Sequence, residues 1–363
     1  MFYVLQTLPG LGGLAAEEAL QRLPLTADGH AARVGNVRFV PGRSDLVPIR
    51  YEGEPRKLLD LRVSEDVFAV AARAFSVSGD ERGLRQIYAA VRNSEMVPTA
   101  LALWRRTNKV RQRVNTFRVI TRAVGGHDYI RRDVGRAVAD AVVDGWPGRL
   151  RRVDKEEDME IWASLLQDEL VCTIRLSGPE MRRSSERTEQ RPAALRPAMA
   201  AAMIMLTNPL PGDTFLDPMA GTGTLLIERA AAGPYRALYG GDDNMKAMTA
   251  LRTNVRSLSG DVFCERWDAR SLPLADASVH KVAVNLPFGR QMEAGTDLNA
   301  LYRGTLTELA RVLRPGGRFV ALVGDWGLLE SARRVTAPRF RLLNRYRVEV
   351  LGTPATICQF EYR

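Results

Sequence analysis

The chain has 363 residues, of which 45% are hydrophobic and 26% charged, so it has the composition of an ordinary globular protein with material for two or three domains. Its three cysteines, Cys172, Cys264 and Cys358, lie far apart, which argues against a disulfide framework or a structural zinc site and suits a reducing cytoplasm. The net charge of +10 is compatible with a polyanionic partner.

The N-terminal segment, residues 1–60, predicts a small α+β unit of short elements. No basic segment precedes an apolar stretch here, so no signal peptide is expected, and no apolar run in the chain is long enough to span a bilayer. The predicted elements are a strand over 2–8, a turn over 9–13, a helix over 14–23, a strand over 34–40 and a further strand near 58–72. The glycines of the turn have the wrong spacing for a nucleotide-binding loop.

Residues 61–178 predict a second α+β unit, which carries much of the positive charge. Its predicted elements are a largely helical segment over 79–113, a strand over 116–121, a helix over 129–143 and a hairpin of 160–166 with 169–176. Between Arg105 and Arg136 there are ten Lys or Arg residues and two acids, which makes this segment a candidate phosphate-contacting surface. The alternative interpretation is a solvated face without a partner.

Residues 177–192 are polar and poor in apolar side chains, so we place a linker at 179–192. Strand–helix alternation follows over 193–363 and predicts a mainly parallel, doubly wound sheet. The predicted strands are 214–217, 237–242, 262–268, 281–285, 318–323, 341–351 and 355–362, and the predicted helices are 193–206, 222–232, 245–258 and 298–313. The last two strands form a hairpin around 352–354, which adds an antiparallel strand.

A glycine-containing turn follows the first strand of this alternation, in the sequence Asp217-Pro-Met-Ala-Gly-Thr-Gly-Thr224. Gly221 and Gly223 remove side chains where a cofactor must lie against the backbone. No Gly-Lys-Ser/Thr follows, which argues against phosphate transfer. Position 226 is leucine, where a dinucleotide-binding fingerprint has its third glycine.

Two further carboxylates end the next two strands. Asp242 lies 21 residues after Gly221, where an acid can accept hydrogen bonds from ribose hydroxyls. Asp268 can accept from an adenine amine while the Ala269 N–H donates to a ring nitrogen, although a simple strand-end turn is an equal alternative. Together with the open glycines, these residues predict an adenosine-containing cofactor without a pyrophosphate.

The segment Asn285-Leu286-Pro287-Phe288-Gly289 follows a short apolar strand and forms a loop at its carboxyl end. In an open α/β sheet, ligands bind outside the carboxyl ends of the strands. The loop offers an amide side chain, a free carbonyl and an aromatic face, which suit a planar base with an exocyclic amine. Taken alone, the segment also fits a β-turn with a packed phenylalanine.

These motifs together resemble those of S-adenosylmethionine-dependent amino-group methyltransferases, and more narrowly of the THUMP-containing tRNA guanine-N2 methyltransferases. The similarity extends to Thr7-Leu-Pro-Gly-Leu11, Phe117-Arg-Val, Tyr129-Ile-Arg-Arg-Asp133 and Leu195-Arg-Pro197. It implies a Rossmann-like class I methyltransferase domain with a mainly parallel seven-stranded sheet over 193–363. An N-terminal ferredoxin-like domain over 1–60 and a THUMP RNA-binding domain over 61–178 would precede it.

The resemblance also implies roles for individual residues. The catalytic loop would be Asn285, Leu286, Pro287 and Phe288. S-adenosyl-L-methionine would be held by Asp217, Ala220, Gly221, Thr222, Gly223, Asp242, Asp268, Ala269 and Asn285. The tRNA would be contacted by Arg105, Arg106, Lys109, Arg111, Arg113, Arg131 and Arg132. No metal is implied, and a cytoplasmic monomer is expected.

One departure concerns the substrate. The widespread form of the catalytic loop is Asn-Pro-Pro-Tyr, whereas this chain has Asn-Leu-Pro-Phe, a variant that resembles some guanine-N2 enzymes acting on tRNA. We therefore favour guanine 6 of the acceptor stem, with guanine 10 as the second choice. The alternatives are methylation of guanine N2 in rRNA, methylation of an adenine N6 amine, and a non-catalytic RNA-binding protein. The glycine spacing argues against an NAD-dependent oxidoreductase.

Overall fold

A computed structural model describes residues 1–23, 33–34, 45–108, 115–182, 195–288 and 297–363. The chain divides into two compact units, one made of Met1–Thr7 and Gly12–Met181, the other of Leu8–Leu11 and Arg182–Arg363. None of the helices in the described ranges combines the length and apolar character needed to cross a membrane.

The first unit is built on one eight-stranded sheet with the strand order β2-β3-β1-β4-β8-β7-β5-β6. Its strands are β1 (Phe2–Thr7), β2 (Arg33–Val34), β3 (Leu46–Arg50), β4 (Ser64–Ala74), β5 (Thr116–Val124), β6 (Arg151–Arg152), β7 (Met159–Leu166) and β8 (Glu169–Arg175). Its α-helices are α1 (Gly12–Arg22), α2 (Glu81–Arg92), α3 (Val97–Thr107) and α4 (Arg131–Gly145). The central strand β4 pairs antiparallel with both β1 and β8, so strands on both sides of the boundary predicted at residue 60 share a sheet.

Most elements of this unit follow the sequence-based predictions, although the two-residue strand β6 was not predicted and two further elements differ. The strand predicted near 58–72 begins only at Ser64, because Pro55–Asp60 forms a short 3-10 helix before it. Strand β3 was not predicted, since its five residues contain Pro48. Beyond Val34, the strand predicted over 34–40 lies outside the described residues.

The second unit contains a seven-stranded sheet with the order β11-β10-β9-β12-β13-β15-β14. Its strands are β9 (Thr214–Asp217), β10 (Ala237–Gly241), β11 (Asp261–Glu265), β12 (Val279–Asn285), β13 (Leu313–Val323), β14 (Phe340–Val350) and β15 (Thr353–Tyr362). Its helices are α5 (Pro197–Leu206), α6 (Thr224–Ala231), α7 (Met245–Val255), α8 (Leu298–Val312) and α9 (Trp326–Thr336). The first five strands pair in parallel, and the β14–β15 hairpin joins β13 antiparallel, as predicted. Helix α9 was not predicted.

The core of the second unit explains the apolar pattern of its strands. Val282, Ala283 and Val284 of β12 are fully buried in succession, as expected for a parallel strand covered on both faces. Helices α8 and α9 pack on this sheet through a cluster that includes Leu309, Leu329 and the rings of three phenylalanines. These phenylalanines are Phe319, Phe340 and Phe360.

The register of the parallel strands places their carboxyl ends along one edge. Asp217 pairs with Gly240, and Val282 pairs with Leu216, so the ends of β10, β9 and β12 lie side by side. Asn285 is three residues beyond Val282, whereas Asp217 is one residue beyond Leu216. The tertiary structure therefore brings the glycine turn, the β10 carboxyl end and the Asn285 loop to adjacent positions of one sheet edge.

Candidate active site

The turn after β9 is tied to the end of β10 by Asp242. One carboxylate oxygen, Oδ2, accepts from the Gly221 N–H at 2.9 Å, and the other accepts from the Asn244 N–H at 3.0 Å. Gly221 has a φ of +55°, and a Cβ atom built there would have no neighbour within 4 Å. The backbone at Gly221 is therefore exposed to open space beside a carboxylate, as a bound cofactor would require.

The second glycine of this turn, Gly223, is also required for packing. Gly223 has a φ of +86°, and a Cβ atom there would lie 2.7 Å from the Leu251 Cδ1 atom of α7. Gly223 therefore permits close packing of α6 against α7, a role that the sequence pattern, which predicts a cofactor surface at both glycines, does not reveal. The carbonyl of Thr222 accepts from the buried Asn254 amide at 2.9 Å, and the Ala220 N–H donates to Gly241 at 2.8 Å.

Asp217 is buried beneath this turn. Its Oδ1 atom accepts from the Met219 N–H at 3.2 Å. Burial raises the pKa of the Asp217 carboxyl well above its usual value, and the nearby negative charge of Asp242 adds to the shift. The Trp267 indole N–H donates to the Pro218 carbonyl at 3.0 Å, which is a second hydrogen bond that holds this turn. Asp217 thus stabilises the turn through its hydrogen bond with the Met219 N–H.

Asp268 is an ion-pair partner in this structure. Arg270 Nη2 lies 2.7 Å from Asp268 Oδ2, and Arg270 Nε donates to both carboxylate oxygens at 3.0 and 3.1 Å. These hydrogen bonds hold the pKa of the Asp268 carboxyl below its usual value, so it stays ionised. An adenine amine bound here would share the carboxylate with Arg270. The neighbouring Ala269 is buried.

The Asn285 loop presents an oxygen without a partner. The Asn285 Oδ1 atom is buried and makes no hydrogen bond with any described residue. The next residue is anchored, because the Leu286 N–H donates to the Leu322 carbonyl of β13 at 3.1 Å. The Pro287 carbonyl is already occupied, since it accepts from the Tyr302 hydroxyl of α8 at 2.9 Å. Gly289 lies outside the described residues.

The aromatic residue of the loop rests on the strand beside it. A Cβ atom built on Gly324 would lie 2.7 to 2.8 Å from three atoms of Phe288, so the phenylalanine packs directly on the glycine backbone. Burial raises the pKa of the Tyr302 phenol, which keeps its hydroxyl protonated and able to donate. Sequence reasoning missed both supports. Gly324 directly follows a predicted strand end and was detectable there, whereas Tyr302 is hidden in the apolar pattern of its helix.

The predicted RNA-contacting arginines that the structure describes are all exposed. Arg105 and Arg106 lie in the last turn of α3, and Arg131 and Arg132 open α4. The remaining predicted contacts, Lys109, Arg111 and Arg113, lie outside the described residues. Two other arginines of the basic segment form salt bridges within the protein. Arg118 pairs with Glu157 and Glu160, and Arg122 pairs with Asp45. No cluster of His, Cys, Asp or Glu suited to a metal occurs in the described part of the chain.

Two family models match this chain. One describes an RMKL-like methyltransferase domain and covers residues 184–353, and the other describes a THUMP domain and covers residues 99–175. The chain carries a THUMP domain followed by an RMKL-like methyltransferase domain. The predicted pairing of a THUMP domain with a methyltransferase domain is thereby confirmed, as is the predicted fold class with its mainly parallel sheet behind a THUMP domain. The individual domain boundaries stay predictions.

Relatives and solved structures agree with this domain pair. The structure of TrmN from Thermus thermophilus is 27% identical, with a TM-score of 0.78, and the match covers 100% of this chain and 99% of that one. A protein of the same organism, tRNA (guanine(6)-N2)-methyltransferase, is 28% identical over 95% of both chains. The mouse tRNA (guanine(6)-N(2))-methyltransferase THUMP3 is 32% identical over 46% of this chain and 36% of its own length. The match thus spans less than half of the mammalian relatives.

Proposed function

We propose that this protein transfers a methyl group from S-adenosyl-L-methionine to the exocyclic N2 amine of a guanine in tRNA. The observation that carries this proposal is the Asn285 Oδ1 atom at the carboxyl end of β12, which is buried and has no hydrogen-bond partner among the described residues. Buried polar oxygens are normally hydrogen-bonded, so an orphaned acceptor beside an aromatic ring indicates a missing donor. An exocyclic amine is a donor of the required kind.

The loop geometry suits an amine with two hydrogens. Asn285 Oδ1 can accept one hydrogen and the Leu286 carbonyl the other, because the Pro287 carbonyl is occupied by Tyr302. Both acceptors together would point the nitrogen lone pair towards the methyl donor, within the near-attack range of about 3–3.5 Å. Phe288 would stack on the base, which must leave its helix to enter the site. The amine acidifies as its bond to carbon forms, so the reaction needs no strong base.

The surroundings of Gly221 fit the cofactor. The open space above Gly221 can accept a ligand against the backbone, and Asp242 lies beside it with a carboxylate suited to ribose hydroxyls. Asp268 and Ala269 would contact the adenine, with Arg270 sharing the carboxylate. S-adenosylmethionine supplies an electrophilic methyl group on a sulfonium centre. The full cofactor set proposed from the sequence therefore remains our proposal, with Asp217 and Gly223 supporting the turn.

We propose guanine 6 of the acceptor stem as the target, with guanine 10 as the second choice. The support is the Thermus thermophilus relative that aligns with 95% of this chain and whose name specifies guanine 6. The exposed arginines of α3 and α4 would contact the tRNA backbone.

We further propose that the protein acts in the cytoplasm as a monomer.

The experiment that tests the proposed function is methylation of total tRNA with labelled S-adenosylmethionine, followed by nucleoside mass spectrometry and mapping of the modified nucleotide. We expect N2-methylguanosine at one position, and the mapped position separates guanine 6 from guanine 10. Parallel reactions with rRNA and with adenine-containing DNA address the alternative substrates. Methylation of adenine, or of rRNA but not tRNA, would overturn the proposal, and binding of tRNA without any methyl transfer would indicate a non-catalytic protein.

A further inference from the structure

A second basic surface lies on the methyltransferase domain, at the edge strand β14. In the described sheet β14 is the last strand, and its pairing with β15 shifts register between Leu342 and Asn344. The residues around this irregularity line a concave site of about 330 Å³. The lining residues are Leu342, Leu343, Asn344, Arg345, Arg347 and Thr356. Both arginines are exposed, and the Arg345 guanidinium lies over the Trp326 ring, 4.6 Å from its centroid.

The strand register relates this surface to the Asn285 loop. Asn285 pairs with Leu322, Leu322 pairs with Ile357, and Ile357 pairs with Tyr346. Tyr346 therefore lies in the same row as Asn285, and its neighbours Arg345 and Arg347 project from the opposite face of the sheet, at a position three strands away from Asn285. With strands about 4.8 Å apart, this separation is roughly 14 Å, a distance that a few nucleotides of an RNA strand can cover.

Packing contacts and a short stretch of chain connect the Asn285 loop with Arg345. Phe288 packs on Gly324, Trp326 follows two residues later at the start of α9, and Arg345 covers the Trp326 ring. The stacking of a guanidinium on an indole leaves its N–H groups free to point outwards along the ring plane, where they can bind a phosphate. The Trp326 ring thus holds the Arg345 guanidinium in place.

The charges on this face favour an anion. Arg345 and Arg347 have no ion pair with any described carboxylate, whereas Arg341 of the same strand pairs with Glu361 at 2.7 Å. The nearby acids are Glu330, which is bound by Arg333 and Arg334; Asp325, which caps α9; and the exposed Glu349. Arginines on an edge strand can also serve to prevent pairing with other sheets, but that role does not require the Trp326 contact or this position.

We propose that Arg345 and Arg347 bind backbone phosphate of the RNA strand close to the guanine held at Asn285. This inference rests on the proposed function, because it requires an RNA substrate at the Asn285 loop. Phosphate contacts position a nucleic acid without reading its sequence. The two arginines would thus fix the strand on the methyltransferase domain itself, in addition to the contacts made by the THUMP domain.

The test compares two double variants that lose the same charge. In Arg345→Gln/Arg347→Gln we expect tRNA affinity to fall about tenfold at low salt, with a salt-dependence slope smaller by about 1 to 2. Arg334→Gln/Arg341→Gln is the control, since Glu330 and Glu361 keep Arg333 and Arg318 as partners. Arg345→Lys/Arg347→Lys should keep most of the slope. Cofactor affinity, measured by calorimetry, should be unchanged in all three.

The outcomes separate the two proposals. Equal losses in the test and control variants, or unchanged affinity in the test variant while the wild type still methylates tRNA, would overturn this inference alone. If the wild-type protein neither binds nor methylates tRNA, the proposed function fails and this inference with it.

Discussion

At the scale of single residues, the amide oxygen of Asn285 is the atom on which the proposed chemistry depends. It has no partner among the residues that the structure describes, and a buried acceptor without a donor costs about 1–3 kcal/mol, a cost that a ligand amine would remove. The neighbouring residues are held firmly by Leu322 and Tyr302, which keeps the oxygen in place. The combination is typical of a preorganised binding group.

Replacing Asn285 should therefore separate catalysis from cofactor binding. We expect Asn285→Ala to lower kcat by about a hundredfold or more, because one of the two amine acceptors is lost. Cofactor affinity should change little. The measurement is single-turnover methylation of tRNA together with a calorimetric cofactor titration, with Asn299→Ala, an exposed residue of α8, as control. Wild-type turnover in Asn285→Ala would contradict the assignment.

Tyr302 is a positioning residue for the same loop. Tyr302→Phe removes the hydroxyl that donates to the Pro287 carbonyl but keeps the buried ring. We expect a loss of about 1 kcal/mol in unfolding free energy and a lower kcat, since the freed Pro287 carbonyl then competes for the amine. The tRNA affinity should stay within about twofold, because the ring is buried and stays in place. An unchanged kcat alongside the stability loss would show that the hydrogen bond is only structural.

At the scale of elements, the packing of the loop on β13 depends on Gly324. A Cβ atom there would lie 2.7 Å from the Phe288 ring, so Gly324→Ala must displace the ring. We expect reduced methyl transfer with little change in cofactor affinity. Gly212→Ala is the matched control, because a Cβ atom at Gly212 meets nothing within 4 Å. If Gly324→Ala methylates tRNA as fast as Gly212→Ala does, displacement of the Phe288 ring does not limit the reaction.

The start of β12 carries a pH-dependent contribution to stability. The Thr214 N–H donates to His280 Nδ1 at 3.1 Å, and Arg314 lies 3.0 Å from Nε2. Burial, and secondarily the Arg314 charge, lower the pKa of His280. The stabilisation from neutral His280 is therefore complete above about pH 6.5 and is lost as the pH falls through the lowered pKa.

Thermal unfolding measured between pH 7.5 and pH 5 should show this loss. We expect the Tm of the wild type to fall by about 1–3 °C more than that of His280→Gln over this interval. Parallel curves for the two proteins would show that His280 does not contribute.

At the scale of the whole molecule, the THUMP domain supplies exposed positive charge that its ion pairs do not neutralise. Arg131→Gln/Arg132→Gln should weaken tRNA binding and reduce the salt-dependence slope by about 1 to 2. Arg50→Gln/Arg82→Gln removes the same charge from paired, exposed positions and serves as control. Binding measured by fluorescence anisotropy at several salt concentrations gives both values. Unaltered affinity at low salt would place the RNA on another face.

Local patterns in the sequence were sufficient to predict the fold class and the glycine-containing turn after β9. Buried parallel strands have short apolar sequences, and the acids and glycines that follow them occur at characteristic spacings. Helix α9 escaped prediction because only Leu329 and Ala332 of its eleven residues are buried, which leaves little periodic signal. Strand β3 escaped because it is short and contains a proline.

The contacts that give the site its geometry join residues far apart in the chain. Tyr302 meets Pro287, Gly324 receives Phe288, and Arg345 covers Trp326 only after the parallel strands have paired in one register. Sequence periodicity specifies which face of an element is buried, but it carries no information about which distant residue lies opposite. The sequence alone thus determined the chemistry available at the carboxyl edge of the sheet, whereas the tertiary structure decided which oxygen there has no partner among the described residues and which side chains support its loop.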